Sequence, residues 1–159
     1  MLKPNFILNS FLDITPEFLR ENNIKALLLD VDNTLTYAHK TKKLRDGAEK
    51  WFSLMRENDI SLIVLSNAKP KRAREFGESI GLSAIGGSAK PLPFGYLRAK
   101  RRLSLKSSEI AMGGDQLFTD TLGAKLCGMK TVFVTDITPE DGLSFRIRRK
   151  LEKKILKSE

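Results

Sequence analysis

A single cysteine, Cys127, leaves this chain of 159 residues without an internal disulfide, and a single histidine, His39, leaves it without the His/Cys clusters that hold zinc. Cys127 lies in Leu126-Cys127-Gly128, which reads as a helix end packing an inert thiol inward rather than as a nucleophile. No apolar run approaches the roughly 18 to 20 residues of a membrane span, and the first ten residues lack the long apolar stretch of a signal peptide. Internal repeats, low-complexity stretches and interdomain linkers are missing too. These absences predict a cytoplasmic protein, soluble or peripheral to a membrane. What remains is globular: 41% apolar and 30% charged residues suit one domain over 1–159 with a proper core.

The net charge of +9 is unevenly placed. Residues 143–159 hold seven Lys or Arg against Glu152 and Glu159, so more than half of the excess is C-terminal. Such charge favours phosphate-bearing partners without choosing among nucleic acid, anionic lipid and small phosphorylated substrates.

Strand and helix signals alternate along the chain. The all-apolar run 26–29 and the stretch 60–65 read as strands covered on both faces, with further strands at 83–85, 109–112 and 131–135. Helical spacing predicts helices over 44–58, 70–80, 93–103 and 119–126, and a basic terminal helix over 143–157. The pattern implies an α/β fold, a Rossmann-like, mostly parallel sheet with helices on both faces and a core over about 25–135. Asp30, Ser66 and Asp115 then fall just past the C-terminal ends of strands, and Lys90 in a loop opening a helix. Ligands of open α/β sheets bind along that edge.

Four polar signatures converge there: Asp30-Val31-Asp32-Asn33-Thr34, Ser66-Asn67, Lys90-Pro91, and Gly114-Asp115 with Asp120. Their chemistry is that of phosphoryl transfer. A carboxylate such as Asp30 can attack phosphorus and split one hard displacement into two. Asp32, two residues on, reaches the leaving-group oxygen and serves as general acid, later as the base that activates water. Ser66 and nearby backbone amides donate to phosphoryl oxygens, with Asn33 and Asn67 as further phosphate-binding candidates, and Lys90 offsets the shared negative charge. Thr34 is expected to brace the loop. Asp30, Asp32, Asp115 and Asp120 supply an all-oxygen cage for a hard cation of the Mg²⁺ type.

The motifs resemble those of the haloacid dehalogenase (HAD) superfamily of phosphatases over residues 25–135, and more narrowly the YqeG-type, subclass IIIA group, which is related to phosphatidylglycerophosphate phosphatases. The resemblance implies Asp30 as nucleophile, Asp32 as acid/base, Ser66 and Lys90 as phosphate clamp, and Mg²⁺ held by Asp30, the Asp32 carbonyl and Asp115. It makes a lipid head-group phosphate a plausible substrate class. Asn33 stands where many relatives carry Gly, and Asn tolerates unusual backbone angles.

The intervals between motifs leave no room for a cap domain, so the site is expected to be open. That favours a bulky or lipid phosphomonoester, or shielding by a membrane or a neighbouring subunit. The terminal stretch repeats apolar residues at 147, 151 and 155 among cations. It fits best a last helix packed on the sheet with a solvated basic face, with a membrane-surface helix as the alternative, since both share this pattern. His39 is expected in an exposed loop near the site, and Trp51 and the phenylalanines in the core. Two other classes compete: a receiver-type phosphorylation switch, which the acid at Asp32 argues against, and a scaffold on a relic phosphatase fold, perhaps bound to RNA.

Overall fold

The computed structural model describes residues 1–37, 43–137 and 141–158. Six parallel strands form its sheet: β1 (Phe6–Leu8), β2 (Ala26–Leu29), β3 (Ser61–Leu65), β4 (Ser83–Ile85), β5 (Ile110–Gly114) and β6 (Lys130–Val134), in the order β1-β6-β5-β2-β3-β4. The helices are α1 (Pro16–Glu21), α2 (Ala48–Glu57), α3 (Pro70–Ile80), α4 (Phe94–Leu103), α5 (Leu122–Leu126) and α6 (Leu143–Lys157).

The reason β2 is uniformly apolar is visible in its packing. Leu27 and Leu29 point to the face covered by Trp51, Phe52 and Met55 of α2, whereas Ala26 and Leu28 meet Tyr96 and Ala99 of α4 and Ala124 of α5. All four β2 residues are fully buried, each leucine contributing roughly 1.5–3 kcal/mol. The strand order reverses about β2, which pairs with β3 on one side and β5 on the other. This is a Rossmann-like α/β fold, and the reversal opens a crevice at the carboxyl ends of the strands.

Among the described residues, β2 and β3 are joined by a turn and α2, and β3 and β4 by α3 alone. Neither connection carries a cap domain. The strand at 83–85 and the helices at 70–80 and 143–157 lie where periodicity puts them. The helix expected from 44 begins only at Ala48, because Leu44 instead bridges Thr36. The helix expected over 119–126 divides into a wide turn, Leu117–Thr121, and the short α5.

Two elements carry no clear sequence signal. β1 is a three-residue edge strand, half-buried and pinned by Asn5, whose side chain accepts from Thr131 N–H at 3.1 Å. α1 follows an N-cap at Thr15, whose hydroxyl accepts from Phe18 N–H. Trp51 and Phe11 are buried edge-to-face at 5.1 Å. Phe94, expected in the core, turns outward at the start of α4 and is 62% exposed.

The terminal helix also departs from expectation. Leu143, Ile147 and Leu151 face solvent, 74%, 51% and 48% exposed, while Glu152 is buried. α6 thus packs on the body by a mixed face, Arg149 and Glu152 beside the half-buried Phe145, Ile155 and Leu156, and turns Leu143, Ile147 and Leu151 outward.

Gly123 of α5 lies under Tyr96, and a Cβ there would stand 2.5 Å from Tyr96 Cε2 and 2.6 Å from its hydroxyl. Because Tyr96 is fully buried, Gly123→Ala is expected to destabilise by ~1–3 kcal/mol. Thermal melts should show a Tm lowered by roughly 2–12 °C. An unchanged Tm would show that the ring has room to move.

Candidate active site

Each signature is delivered by a strand end and its following turn. Asp30 follows β2 directly, its N–H still donating to Gly113 O at 3.0 Å. The chain then leaves the sheet through Val31–Leu35, with Asp32 extended (φ −65°, ψ 130°) and Asn33 in the left-handed region (φ 58°, ψ 0°). That conformation suits Asn or Gly and closes the turn, Thr36 N–H reaching Val31 O at 3.1 Å. Arg45, buried beneath, donates from Nη2 to Asn33 O and Asp136 O and from Nη1 to Asp136 Oδ2. It ties the turn to the chain beyond β6.

Ser66 follows β3, and its Oγ accepts from Ala68 N–H at 3.0 Å, leaving the hydroxyl proton to donate. Asn67 is tied to the next loop. Its Oδ1 accepts from Lys90 N–H at 2.7 Å and from Ser88 Oγ at 3.0 Å, and its Nδ2 donates to Lys90 O. Lys90 is thereby set to send its ammonium inward, where Nζ donates to Asp30 Oδ1 at 2.7 Å and Asp120 Oδ1 at 2.8 Å.

Asp120 comes from the turn after β5. Its Oδ2 accepts from Gln116 N–H at 3.2 Å, and its carboxylate lies so close over Gly114 that a Cβ there would be 2.2 Å from Oδ2. Only glycine admits this approach. Tyr96 holds the same turn from below, its hydroxyl donating to Thr119 O at 2.9 Å. Asp115 is almost fully buried, and Arg149 of α6 donates to both its carbonyl and its Oδ2. Glu152 accepts from Arg149 at 2.7 Å and from Leu117 N–H at 3.0 Å.

The structure therefore gathers most of the residues singled out in the sequence. Asp30, Asp32, Ser66, Asn67 and Lys90 line one cleft of about 440 Å³, whose far wall is Arg72, Glu75, Phe76 and Ser79 of α3. Asp115 and Asp120 lie buried, close against Asp30. Asn33 and Thr34 are buried and do not line the cleft, and the Thr34 hydroxyl has no hydrogen-bond partner. His39 lies outside the described residues. Sequence reasoning missed Arg45, Ser88, Tyr96, Arg149 and Glu152. Each acts on a site residue at least 12 positions away or supports its turn, so no local pattern marks it.

One oxygen from each of Asp30, Asp115 and Asp120 lies within 4.8 Å of the others. Both oxygens of Asp120 are hydrogen-bonded, but Asp115 Oδ1 is buried with no partner, an arrangement that ordinarily costs ~1–3 kcal/mol. Among the described residues, the three carboxylates pair with two counter-charges, the buried Lys90 and the half-buried Arg149. An oxygen-rich, net negative pocket with an unsatisfied ligand atom fits a hard divalent cation.

The electrostatics agree. Burial raises Asp115 well above the usual carboxylate range, and Asp30 and Asp120 push the same way against Arg149. Burial likewise lifts Asp120, with Asp30, to about 6 against the opposing pull of Lys90. Burial would lower Lys90, but Asp120 and Asp30 outweigh it and hold the ammonium charged. For a carboxyl raised on folding, the stabilising contribution is full below its unfolded value of 3.8 and lost as pH rises through about 6. Protein stripped of metal is expected to lose stability over that window, and a divalent cation to restore it. The Tm increment given by millimolar Mg²⁺ should therefore be larger at pH 7 than at pH 5; equal increments would show that these carboxyls do not titrate there.

Comparison with known proteins agrees with this geometry. Residues 37–128 match the haloacid dehalogenase-like hydrolase family. The chain is 35% identical over 160 residues to a probable phosphatase, YqeG, of Bacillus subtilis, covering 98% of this chain and 92% of that protein. It is 26% identical over 151 residues to the mitochondrial phosphatidylglycerophosphatase GEP4 of Saccharomyces cerevisiae, covering 86% and 79%. In fold it is similar to the D,D-heptose 1,7-bisphosphate phosphatase of B. bronchiseptica, solved with magnesium and phosphate, with a TM-score of 0.59, 15% identity, and coverage of 80% and 87%. The chain belongs to the haloacid dehalogenase-like hydrolases and is a phosphatase of the YqeG type.

Proposed function

We propose that the protein is a Mg²⁺-dependent phosphomonoester hydrolase that works through an aspartyl-phosphate on Asp30. The observation that carries this reading is the engagement of Lys90 Nζ with Asp30 Oδ1 at 2.7 Å, which fixes that carboxylate at the floor of a cleft also lined by Asp32 and Ser66. A phosphoryl group in the cleft accepts hydrogen bonds from the Ser66 hydroxyl and the neighbouring amides. Asp30 attacks phosphorus in line, and the bond from phosphorus to the ester oxygen breaks as Asp32 gives that oxygen a proton. Asp32 then takes a proton from water, which attacks phosphorus, releasing inorganic phosphate and restoring the Asp30 carboxylate.

Asp30, the Asp32 carbonyl and Asp115 would hold the cation, with Asp120 adding charge beside them. When bound, Mg²⁺ lowers the repulsion between the phosphoryl oxygens and the carboxylates. The Lys90 ammonium adds a fixed positive charge to the same oxygens. Asn67 lines the cleft beside Ser66 and also supports the Lys90 backbone.

A lipid head-group phosphate is the substrate class this reading favours, by similarity to the yeast phosphatidylglycerophosphatase and because no cap domain is present among the described residues. The outward stripe Leu143, Ile147 and Leu151, flanked by Arg146, Lys150 and Lys154, suits resting on an anionic bilayer, and so a cytoplasmic protein peripheral to a membrane.

Asp30→Asn is expected to lower Mg²⁺-dependent hydrolysis of p-nitrophenyl phosphate at least about 10³-fold. Asp32→Asn should cost about 10²–10⁴-fold on alkyl phosphates. Retained turnover in Asp30→Asn would overturn the nucleophile. A panel setting phosphatidylglycerophosphate in vesicles against soluble sugar phosphates reads the substrate class, the lipid expected to give the higher kcat/KM. Leu143, Ile147 and Leu151 changed together to Ser should weaken co-sedimentation with anionic vesicles while leaving p-nitrophenyl phosphate turnover intact; unchanged sedimentation would remove the membrane contact.

A further inference from the structure

An amphipathic terminal helix that served only to cover the body would bury its apolar stripe. α6 instead exposes Leu143, Ile147 and Leu151 and turns inward Arg149 and Glu152, whose side chains are 12% and 2% exposed, beside the half-buried Phe145. Burying a guanidinium between two carboxylates carries a desolvation penalty that its ion pairs do little more than offset, so the contact is a poor device for stability alone. What it does provide is geometry. Arg149 uses Nη1 on the Asp115 carbonyl and Nη2 on Asp115 Oδ2, fixing both the backbone and the carboxylate of one residue with a planar fork.

The fork is itself held. Nη1 also meets Glu152 Oε2 at 2.7 Å, and Phe145 lies against the guanidinium with its centroid 5.1 Å away. Glu152 Oε1 accepts from Leu117 N–H at 3.0 Å, so Arg149 and Glu152 together grip the chain on either side of Gln116. The result at Asp115 is selective: Oδ2 is taken, and Oδ1 is left buried with no partner.

We propose that Arg149 is a positioning residue for the cation. It holds the Asp115 carboxylate in the one orientation that keeps Oδ1 available to the ion, and Glu152 holds Arg149. This rests on the reading above that Asp115 binds the metal, and it makes the terminal helix part of the ion site rather than an appendage. Because a lysine offers a point charge and cannot span carbonyl and carboxylate together, Lys is not an equivalent at 149.

Mg²⁺ affinity, measured by titration calorimetry on the full chain without substrate, tests this directly. Arg149→Gln and Arg149→Lys are each expected to weaken Mg²⁺ binding about 10–100-fold, as loss of the groups that orient ligands does elsewhere. Glu152→Gln should shift affinity in the same direction, and serves if an Arg149 variant does not fold. In turnover of p-nitrophenyl phosphate the variants should need correspondingly more Mg²⁺ for half-maximal rate and approach wild-type kcat at saturation. Folded variants that bind Mg²⁺ as tightly as wild type would overturn the proposal and leave the proposed function standing. Tighter binding would also overturn it, showing Arg149 to be a competitor of the ion. Wild-type protein that takes up no Mg²⁺ would overturn the function and this inference together.

Discussion

The rest of the site depends on one buried ammonium. Lys90 Nζ stands between Asp30 and Asp120, 97% of its side chain withdrawn from solvent, and each carboxylate is tolerable at that depth because the lysine is there. Burial and the neighbouring Asp30 lift Asp120, and Lys90 pulls it back down. The surroundings are arranged to serve this arrangement: Asn67 and Ser88 fix the lysine's backbone, Gly114 makes room for Asp120, and Tyr96 holds the turn from which Asp120 comes. Two cations, Lys90 and Arg149, thus partition the carboxylate cluster, one on the cleft side and one on the side of the terminal helix.

Much of this was legible in the residues. Strands buried on both faces announce themselves as unbroken apolar runs, so β2 and β3 are plain, and the polar residue that ends each run is the one at the sheet edge. Converging strand ends then bring Asp30, Ser66 and Asp115 together without further information. What could not be read is contact made across distance in sequence. The pairing of Arg149 with Asp115 spans 34 positions and that of Asn67 with Lys90 spans 23, and in each case the sequence shows only a common polar residue.

Asn67 carries two duties at once: it lines the cleft beside the candidate phosphate clamp, and its amide also holds the loop that carries Lys90. The apolar positions of α6 suggest a buried stripe, but Leu143, Ile147 and Leu151 face outward while Arg149 reaches the Asp115 carboxylate and carbonyl, and Glu152 of the same helix holds Arg149 and the Leu117 amide. β1 escaped notice because three half-buried residues at a sheet edge leave no pattern to count.

The cleft has a division of labour along its length. The groups proposed to meet phosphorus hang from the strand ends, whereas Arg72, Glu75, Phe76 and Ser79 belong to α3, where Glu75 pairs with Lys71 and the Ser79 hydroxyl donates to Phe76 O. None of these four bonds to Asp30, Asp32, Ser66 or Lys90 in any contact the structure resolves. On the proposed reading, the wall that meets the alcohol half of an ester belongs to one helix face, and changes there would leave the bond-breaking groups in place.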